Sequence, residues 1–309
     1  MERKQLKQKL SEILHTKLSE EIEDQQVELP DAFSDLEDHL SKKESMFPLA
    51  GFPRLTEMLG GGLTTRGFTI LTGPTGAGKS TLCSNLWFSL QASGKNVYMS
   101  PIEIGYVEQM KSLVSIISGR PRRELTPEMM PEIREKYYPT FFSNRGHVFS
   151  KHESRVNHMD LLTELYHNFL TRNTDVAIID NWNFMLEPAK GQDAISMNDT
   201  ALHDCIVFTK KIPVHIIMVM HPRKTDGDDD YIKSIYDIKG SSTSIQESTN
   251  VLLFNRLETP DEDTPMNVEA KMCREIKCAK ARFNGRAVGR KVFFEIDKNS
   301  EHYTEYRSK

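Results

Sequence analysis

One octapeptide constrains this chain more than any other segment: Gly73-Pro-Thr-Gly-Ala-Gly-Lys79-Ser80. It follows an apolar run, Gly67-Phe-Thr-Ile-Leu-Thr72, and precedes an apolar, helix-forming stretch, Thr81–Leu90. Strand, glycine turn and helix in that order are the context a phosphate-binding P-loop requires. Glycines let successive backbone N–H groups close on phosphate oxygens, and a helix N-terminus adds a favourable dipole. The pattern predicts that Gly73, Pro74, Thr75, Gly76, Ala77, Gly78 and Thr81 line a nucleotide cradle. Lys79 is expected to reach the β- and γ-phosphates and the Ser80 hydroxyl to hold Mg²⁺, with ATP as the nucleotide.

Downstream, apolar runs alternate with helical patterns. Strands are predicted at Asn96–Ser100, His147–Phe149, Val176–Asp180, Val214–Met220, Val251–Asn255, 273–281 and 291–297. Helices are predicted at Asp160–Arg172 and Asp199–Lys211, and Pro121, Pro127, Pro131 and Pro139 break up a further helical region. Such alternation implies an α/β fold with a mainly parallel twisted sheet flanked by helices.

Ahead of this core, Leu6, Leu10, Ile13, Leu14, Leu18 and Ile22 recur at spacings of three and four, so residues 1–26 are predicted to form one amphipathic helix. A shorter helix is expected at Ser34–Lys43. The predicted organisation is therefore a helical arm or linker over 1–46 and the α/β unit over 47–309. The arm either packs on its own domain or docks on a neighbouring subunit.

Composition narrows the class. Forty Lys and Arg against forty-four Asp and Glu leave a net charge of −4, which excludes a globally basic nucleic-acid binder. The longest apolar run, Val214–Met220, is too short to span a bilayer, so no membrane is expected. Nor does the N-terminus carry the apolar stretch of a secretory signal. Cys83, Cys205, Cys273 and Cys278 lack CxxC spacing and read as reduced thiols of a cytoplasmic protein.

Other candidates follow from position. Asp180 ends an apolar strand, at the sheet edge where α/β proteins bind ligands, and is placed to hold the Mg²⁺ shell. Glu103 follows the strand NVYMS and is placed to orient or deprotonate an attacking water. His221 ends HIIMVMH, either as a backbone-bonded loop histidine or as a sensor of the γ-phosphate. Lys277, Lys280, Arg282, Arg286 and Arg290 form a basic run. Arg282 is the candidate for an arginine finger supplied in trans, with Lys280 beside it.

In this order, TGPTGAGKST, GKNVYMSPIE, VAIIDNWNF, HIIMVMHPRK, DIKGSSTSIQESTNVLLFNR and KARFNGRAVG resemble the ATPase domain of DnaB-type replicative helicases, most nearly the helicase half of phage primase-helicases and Twinkle. The resemblance covers roughly residues 50–306. It implies a RecA-like core that assembles as a homo-hexamer around single-stranded DNA and unwinds duplex. Nucleotide would lie between subunits, with Arg282, Lys280 and Arg256 reaching across. DNA would be gripped by loops near 187–198 and 222–243, through Arg223, Lys224, Lys239, Gly240 and Ser241. No primase or zinc-binding domain is expected ahead of the motor, so any primase would be a separate chain or absent, and a loader would be a further separate partner. Two features depart from the family. Asp226, Asp228, Asp229 and Asp230 lie among the expected DNA contacts. In addition, GFPRLTEMLGGGLTTRG resembles the start of KaiC-like and RadA-like ATPases, which leaves open a DNA-dependent RecA/KaiC-like ATPase that does not unwind.

Overall fold

The computed structural model describes residues 3–15, 29, 31–34, 37, 46–143, 146–151, 156–182, 194–222, 231–238, 242–257 and 272–306. Its centre is a nine-stranded sheet. In chain order the elements are α1 (Arg3–His15), α2 (Pro53–Met58), β1 (Gly67–Thr72), α3 (Lys79–Ala92), β2 (Val97–Pro101), α4 (Tyr106–Ser118), α5 (Met130–Tyr137), β3 (Val148–Phe149), α6 (His158–Arg172), β4 (Val176–Asp180), α7 (Ala194–Lys211), β5 (His215–Met220), α8 (Ser242–Glu247), β6 (Asn250–Arg256), β7 (Cys273–Ala281), β8 (Lys291–Ile296) and β9 (Tyr303–Glu305). Across the sheet the order is β3-β2-β4-β5-β1-β6-β7-β8-β9. Strands β3 to β6 pair in parallel, and β7, β8 and β9 extend the sheet antiparallel.

The parallel strands are apolar throughout because both faces are covered. Successive side chains alternate between two cores. Phe68, Ile70, Ile179 and Met218 face α1, α6 and α7, where they meet Leu10, Leu161, Leu165, Leu202 and Phe208. Leu71, Ile178 and Val219 face the other way, onto Leu55, Leu82, Leu86 and Trp87. Helix α6 starts on Asn157, whose side chain accepts the Met159 N–H at 2.9 Å, and ends at left-handed Asn173.

Several predicted boundaries move. The first helix is seen as Arg3–His15; Leu18 and Ile22 lie outside the described residues. Its buried stripe, Leu6, Leu10 and Leu14, joins the core formed with α6 and α7, and Lys7 pairs with Asp160 at 2.8 Å. Residues Arg3–His15 of the arm thus pack on the chain's own domain. Where a helix was predicted from Ser34, residues 29, 31–34 and 37 are helical, so the segment begins earlier; 38–45 lie outside the described residues. Helix α7 begins at Ala194 rather than Asp199. Strand β9 was not predicted. No helix among the described residues is long and apolar enough to cross a membrane.

One buried polar network ties the sheet below the P-loop strand. His215, with no exposed surface, faces the Thr69 hydroxyl at 2.8 Å and the Thr64 carbonyl at 2.8 Å, and Asn250 donates to the same hydroxyl at 3.0 Å. The edge of the Phe47 ring closes the site. Burial pulls the imidazole down to about 4 from 6.5, partly opposed by the Thr64 carbonyl. Between those values the unfolded chain binds a proton that the folded chain refuses, so stability falls as pH drops from 6.5 toward 4. The gap corresponds to at most roughly 3 kcal/mol. Melting curves from pH 7.5 to 4.5 are expected to show this fall, with a shallower slope in His215→Gln. Equal slopes in the two proteins would remove His215 as the cause.

Candidate functional site

The P-loop spans the gap between β1 and α3, and its shape depends on glycine at two points. A Cβ at Gly73 would lie 2.2 Å from the Phe254 carbonyl oxygen of β6. Gly78 has φ +99°, and a Cβ there would lie 2.7 Å from the Tyr303 hydroxyl. Thr75 and Gly76 form the exposed tip. Lys79 folds over the loop and donates to the Gly73 carbonyl at 2.8 Å and the Pro74 carbonyl at 2.9 Å. Burial lowers the pKa of this ammonium, partly opposed by the negative charges of Asp180 and Glu103.

Strand register brings the predicted acids to the loop. Pro101 of β2 sits opposite Asp180 of β4, and Thr72 of β1 opposite Met220 of β5. Residues just past these strand ends, Glu103 and His221, therefore share one edge with the P-loop. The Glu103 N–H donates to the Asp180 carbonyl at 3.2 Å.

Asp180 is 1% exposed, and neither carboxylate oxygen has a hydrogen bond of good geometry. Burial pushes its pKa up to about 6; the nearby Ser80 hydroxyl opposes this, Glu103 adds to it and Lys79 opposes it. A buried, underbonded carboxylate beside a P-loop hydroxyl fits a divalent cation. Among the described residues there is no cluster of three or more His, Cys, Asp and Glu arranged to hold a metal.

Asn181, which sequence reasoning passed over, lies at the centre of a second group. Its amide nitrogen contacts Glu103 Oε2 and lies 2.7 Å from His221 Nε2, while Glu103 and His221 are 3.6 Å apart. The amide donates to the imidazole when Nε2 carries no proton. The only available sequence signal was position: Asn181 directly follows the strand-end Asp.

Arg256 ends β6, parallel to β1, and so stands exposed at the same edge as its own P-loop. The expectation that it crosses to a neighbour is not needed to bring it near a nucleotide. Lys280 and Arg282 lie elsewhere. Strand β7 runs antiparallel, so its end reaches the opposite edge: Lys280 pairs with Val251, and the Arg282 N–H donates to the Thr249 carbonyl. Read across β6, Lys280 stands level with Ile70 and Arg282 with Phe68, about 10 and 17 Å along the strand from Gly73 at ~3.3 Å per residue.

The register of β7 shifts by one residue between Cys278 and Lys280, opposite Leu252 and Val251 of β6, and this sets the aim of these two cations. Cys278 and Ala281 share one core face although three residues apart, which an unbroken strand forbids. Lys280 donates to the carbonyls of Gln246 and of Ser248 (2.6 Å), and Arg282 to that of Glu247 (3.2 Å). Burial lowers Lys280 to about 8, helped by Arg282 and opposed by Glu247. Arg223, Lys224, Lys239, Gly240 and Ser241, and the loop 183–193, lie outside the described residues. The described part of the loop after β5 is anchored on β6, where the Ile232 N–H donates to Asn255 Oδ1 at 2.8 Å.

With this geometry in place, comparison with known proteins gives two kinds of match. The AAA domain family model matches residues 63–226, more than half of the chain, taking in the P-loop, Glu103, Asp180 and His221. Among solved structures, one isolated ATPase domain superposes with a TM-score of 0.73 at 14% identity, covering 91% of this chain and 100% of that one. A DnaB-like replicative helicase, solved together with its interactions with primase, superposes with a TM-score of 0.73 at 14% identity, covering 99% of this chain and 75% of that one. The two superpositions establish a shared RecA-like P-loop fold.

Proposed function

Because this chain belongs to the AAA domain family, we propose that it is an ATP-driven DNA helicase, a ring-forming motor that translocates on single-stranded DNA and unwinds duplex. The observation that carries this is the separation of the charged groups. Lys79, Ser80, Glu103, Asp180 and His221 meet at one sheet edge, while Lys280 and Arg282 stand at the other. Cations turned away from their own site can complete the site of a neighbouring copy, so the two edges are complementary halves of an interface between copies. A closed six-membered ring satisfies every such interface.

In this mechanism the P-loop N–H groups and Lys79 hold the triphosphate. Ser80 and Asp180 would hold Mg²⁺, which would supply positive charge for the phosphate groups. Glu103 accepts the proton of the attacking water. Asn181 ties Glu103 to His221, where the loop expected to face DNA begins, so ATP turnover and movement of that loop share one hydrogen-bonded path. Arg282 of the adjoining copy stabilises the transferring phosphoryl group. Residues 1–46 serve as a helical arm and 47–309 as the motor. A separate primase or loader is a proposed partner, in keeping with the primase interactions described for the DnaB-like structural neighbour.

The test is ATPase activity with and without single-stranded oligonucleotide at low salt, where phosphate contacts are strongest, together with unwinding of a forked duplex. Stimulation by DNA, unwinding, and loss of both in Lys79→Ala are expected. Absence of stimulation by DNA would overturn the DNA motor. Stimulation without unwinding, with open filaments in place of six-fold rings by electron microscopy, would favour the RecA/KaiC-like alternative.

A further inference from the structure

Two side chains outside every motif grip the P-loop from behind. Arg274 of β7, 8% exposed, donates from Nε to the Ala77 carbonyl at 2.9 Å and from Nη1 to its neighbour Cys273's carbonyl at 3.1 Å. Tyr303 of β9, 1% exposed, donates its hydroxyl to the Gly78 carbonyl at 3.3 Å. It is itself held in place: its N–H donates to Asn85 Oδ1 at 2.8 Å, and its ring packs near Phe254 and Phe294 at centroid distances of 6.0 and 6.5 Å. Burial drives the phenol's pKa upward, so the hydroxyl remains a donor at every working pH.

Peptide planarity gives these contacts a consequence. The Ala77 carbonyl shares a plane with the Gly78 N–H and points away from it, as the Gly78 carbonyl does with the Lys79 N–H. Drawing both carbonyls back toward β7 and β9 turns both N–H groups to the opposite, concave side, where a P-loop binds phosphate. The first turn of α3 helps at one of them, since the Gly78 carbonyl also accepts the Leu82 N–H at 2.9 Å; Gly76 and Gly78, at φ +79° and +99°, add little stiffness of their own, so the Ala77 carbonyl depends most on Arg274.

We propose that Arg274 and Tyr303 are positioning residues that pre-orient the Gly78 and Lys79 N–H groups for the nucleotide's β-phosphate, so that the antiparallel extension of the sheet sets nucleotide affinity. This rests on residues 73–80 being a nucleotide cradle. The guanidinium also places a positive charge behind the phosphate site, which favours an anion in the partly buried loop.

The experiment measures KM for ATP, kcat, Kd for Mg-ADP, and the unfolding midpoint without nucleotide, in the parent protein, Tyr303→Phe and Arg274→Gln. Tyr303→Phe removes one hydroxyl and keeps the packed ring. It is expected to raise Kd and KM about threefold to tenfold, the span of one hydrogen bond. Its kcat should stay within about twofold, and its midpoint should fall by roughly 2–4 °C, the cost of one hydrogen bond. Arg274→Gln is expected to raise Kd about tenfold or more, since its contact is charge-assisted. Parental affinity in Tyr303→Phe would overturn the inference and leave the cradle standing. So would a fall in the midpoint well beyond that of one hydrogen bond, which would mark a general loosening of the fold. Failure of the parent to bind nucleotide would bring down the cradle and the inference together. If Arg274→Gln does not fold, Tyr303→Phe alone decides.

Discussion

Arg282→Ala is expected to bind nucleotide as the parent does and to hydrolyse it about a thousandfold more slowly or worse, the size of effect an arginine finger carries. Arg282 is exposed, at the sheet edge away from its own P-loop, and its guanidinium holds the Glu247 carbonyl. Within one chain it has no route to the triphosphate, so any effect on turnover must pass between chains. Mixing provides the sharper test. Lys79→Ala lacks a working cradle but keeps its finger; Arg282→Ala keeps its cradle but lacks the finger. Combined in equal amounts in a closed ring, random assembly restores about a quarter of the interfaces. ATPase activity should therefore reappear in a mixture of two inactive proteins. A mixture as inactive as its components, or full activity in Arg282→Ala alone, would remove the shared site.

How far such features could be read from the chain depended on whether they announce themselves locally. The P-loop does, because its glycines, lysine and serine are adjacent and its flanking strand and helix have distinct patterns. The parallel strands also do: Val176–Asp180 and His215–Met220 are apolar runs buried on both faces. Strand β9 does not. In HYTEY the inward positions are Tyr303 and Glu305, and a glutamate at a buried position contradicts any apolar alternation. Glu305 is inward because its carboxylate accepts the Arg54 and Leu55 N–H groups, each at 2.8 Å, capping α2 from far along the chain.

The candidate site divides in the same way. Lys79, Ser80, Glu103, Asp180 and His221 each end or follow a legible element, so one parallel-sheet rule put them at one edge. Arg274 was hidden inside the predicted strand 273–281, which carries no local sign that one of its side chains reaches the P-loop. Asn181 was hidden because its role needs Glu103 and His221, set by the pairing of three strands. The aim of Lys280 and Arg282 was hidden too: KARF gives the residues, but the antiparallel turn of β7 and its register shift give the direction.

Asp180→Asn is expected to make the nucleotide-free protein more stable while costing it catalysis. In the parent, folding carries an ionised carboxylate into a buried site where the nearby Ser80 hydroxyl compensates it only in part. The pKa rises from 3.8 to about 6. The sign follows from proton uptake: between those values the folded chain holds a proton that the unfolded chain releases, so the native state loses stability as pH rises from 3.8 through 6. At neutral pH this penalty is fully present, roughly 3 kcal/mol. An amide of nearly the same shape removes the charge but still buries polar atoms, so a net gain of about 1–2 kcal/mol is expected, a rise of roughly 2–5 °C in the unfolding midpoint. Turnover should fall at least about a hundredfold, because the carboxylate that would hold the cation is gone. Mg-ADP should then stabilise the parent far more than the variant, since ligand linkage follows affinity. The same group thus weakens the empty protein and serves the loaded one: its charge costs stability until a cation compensates it. A variant that melts below the parent without nucleotide would show that Asp180 is satisfied within the fold, and its assignment to the metal would fall with that result.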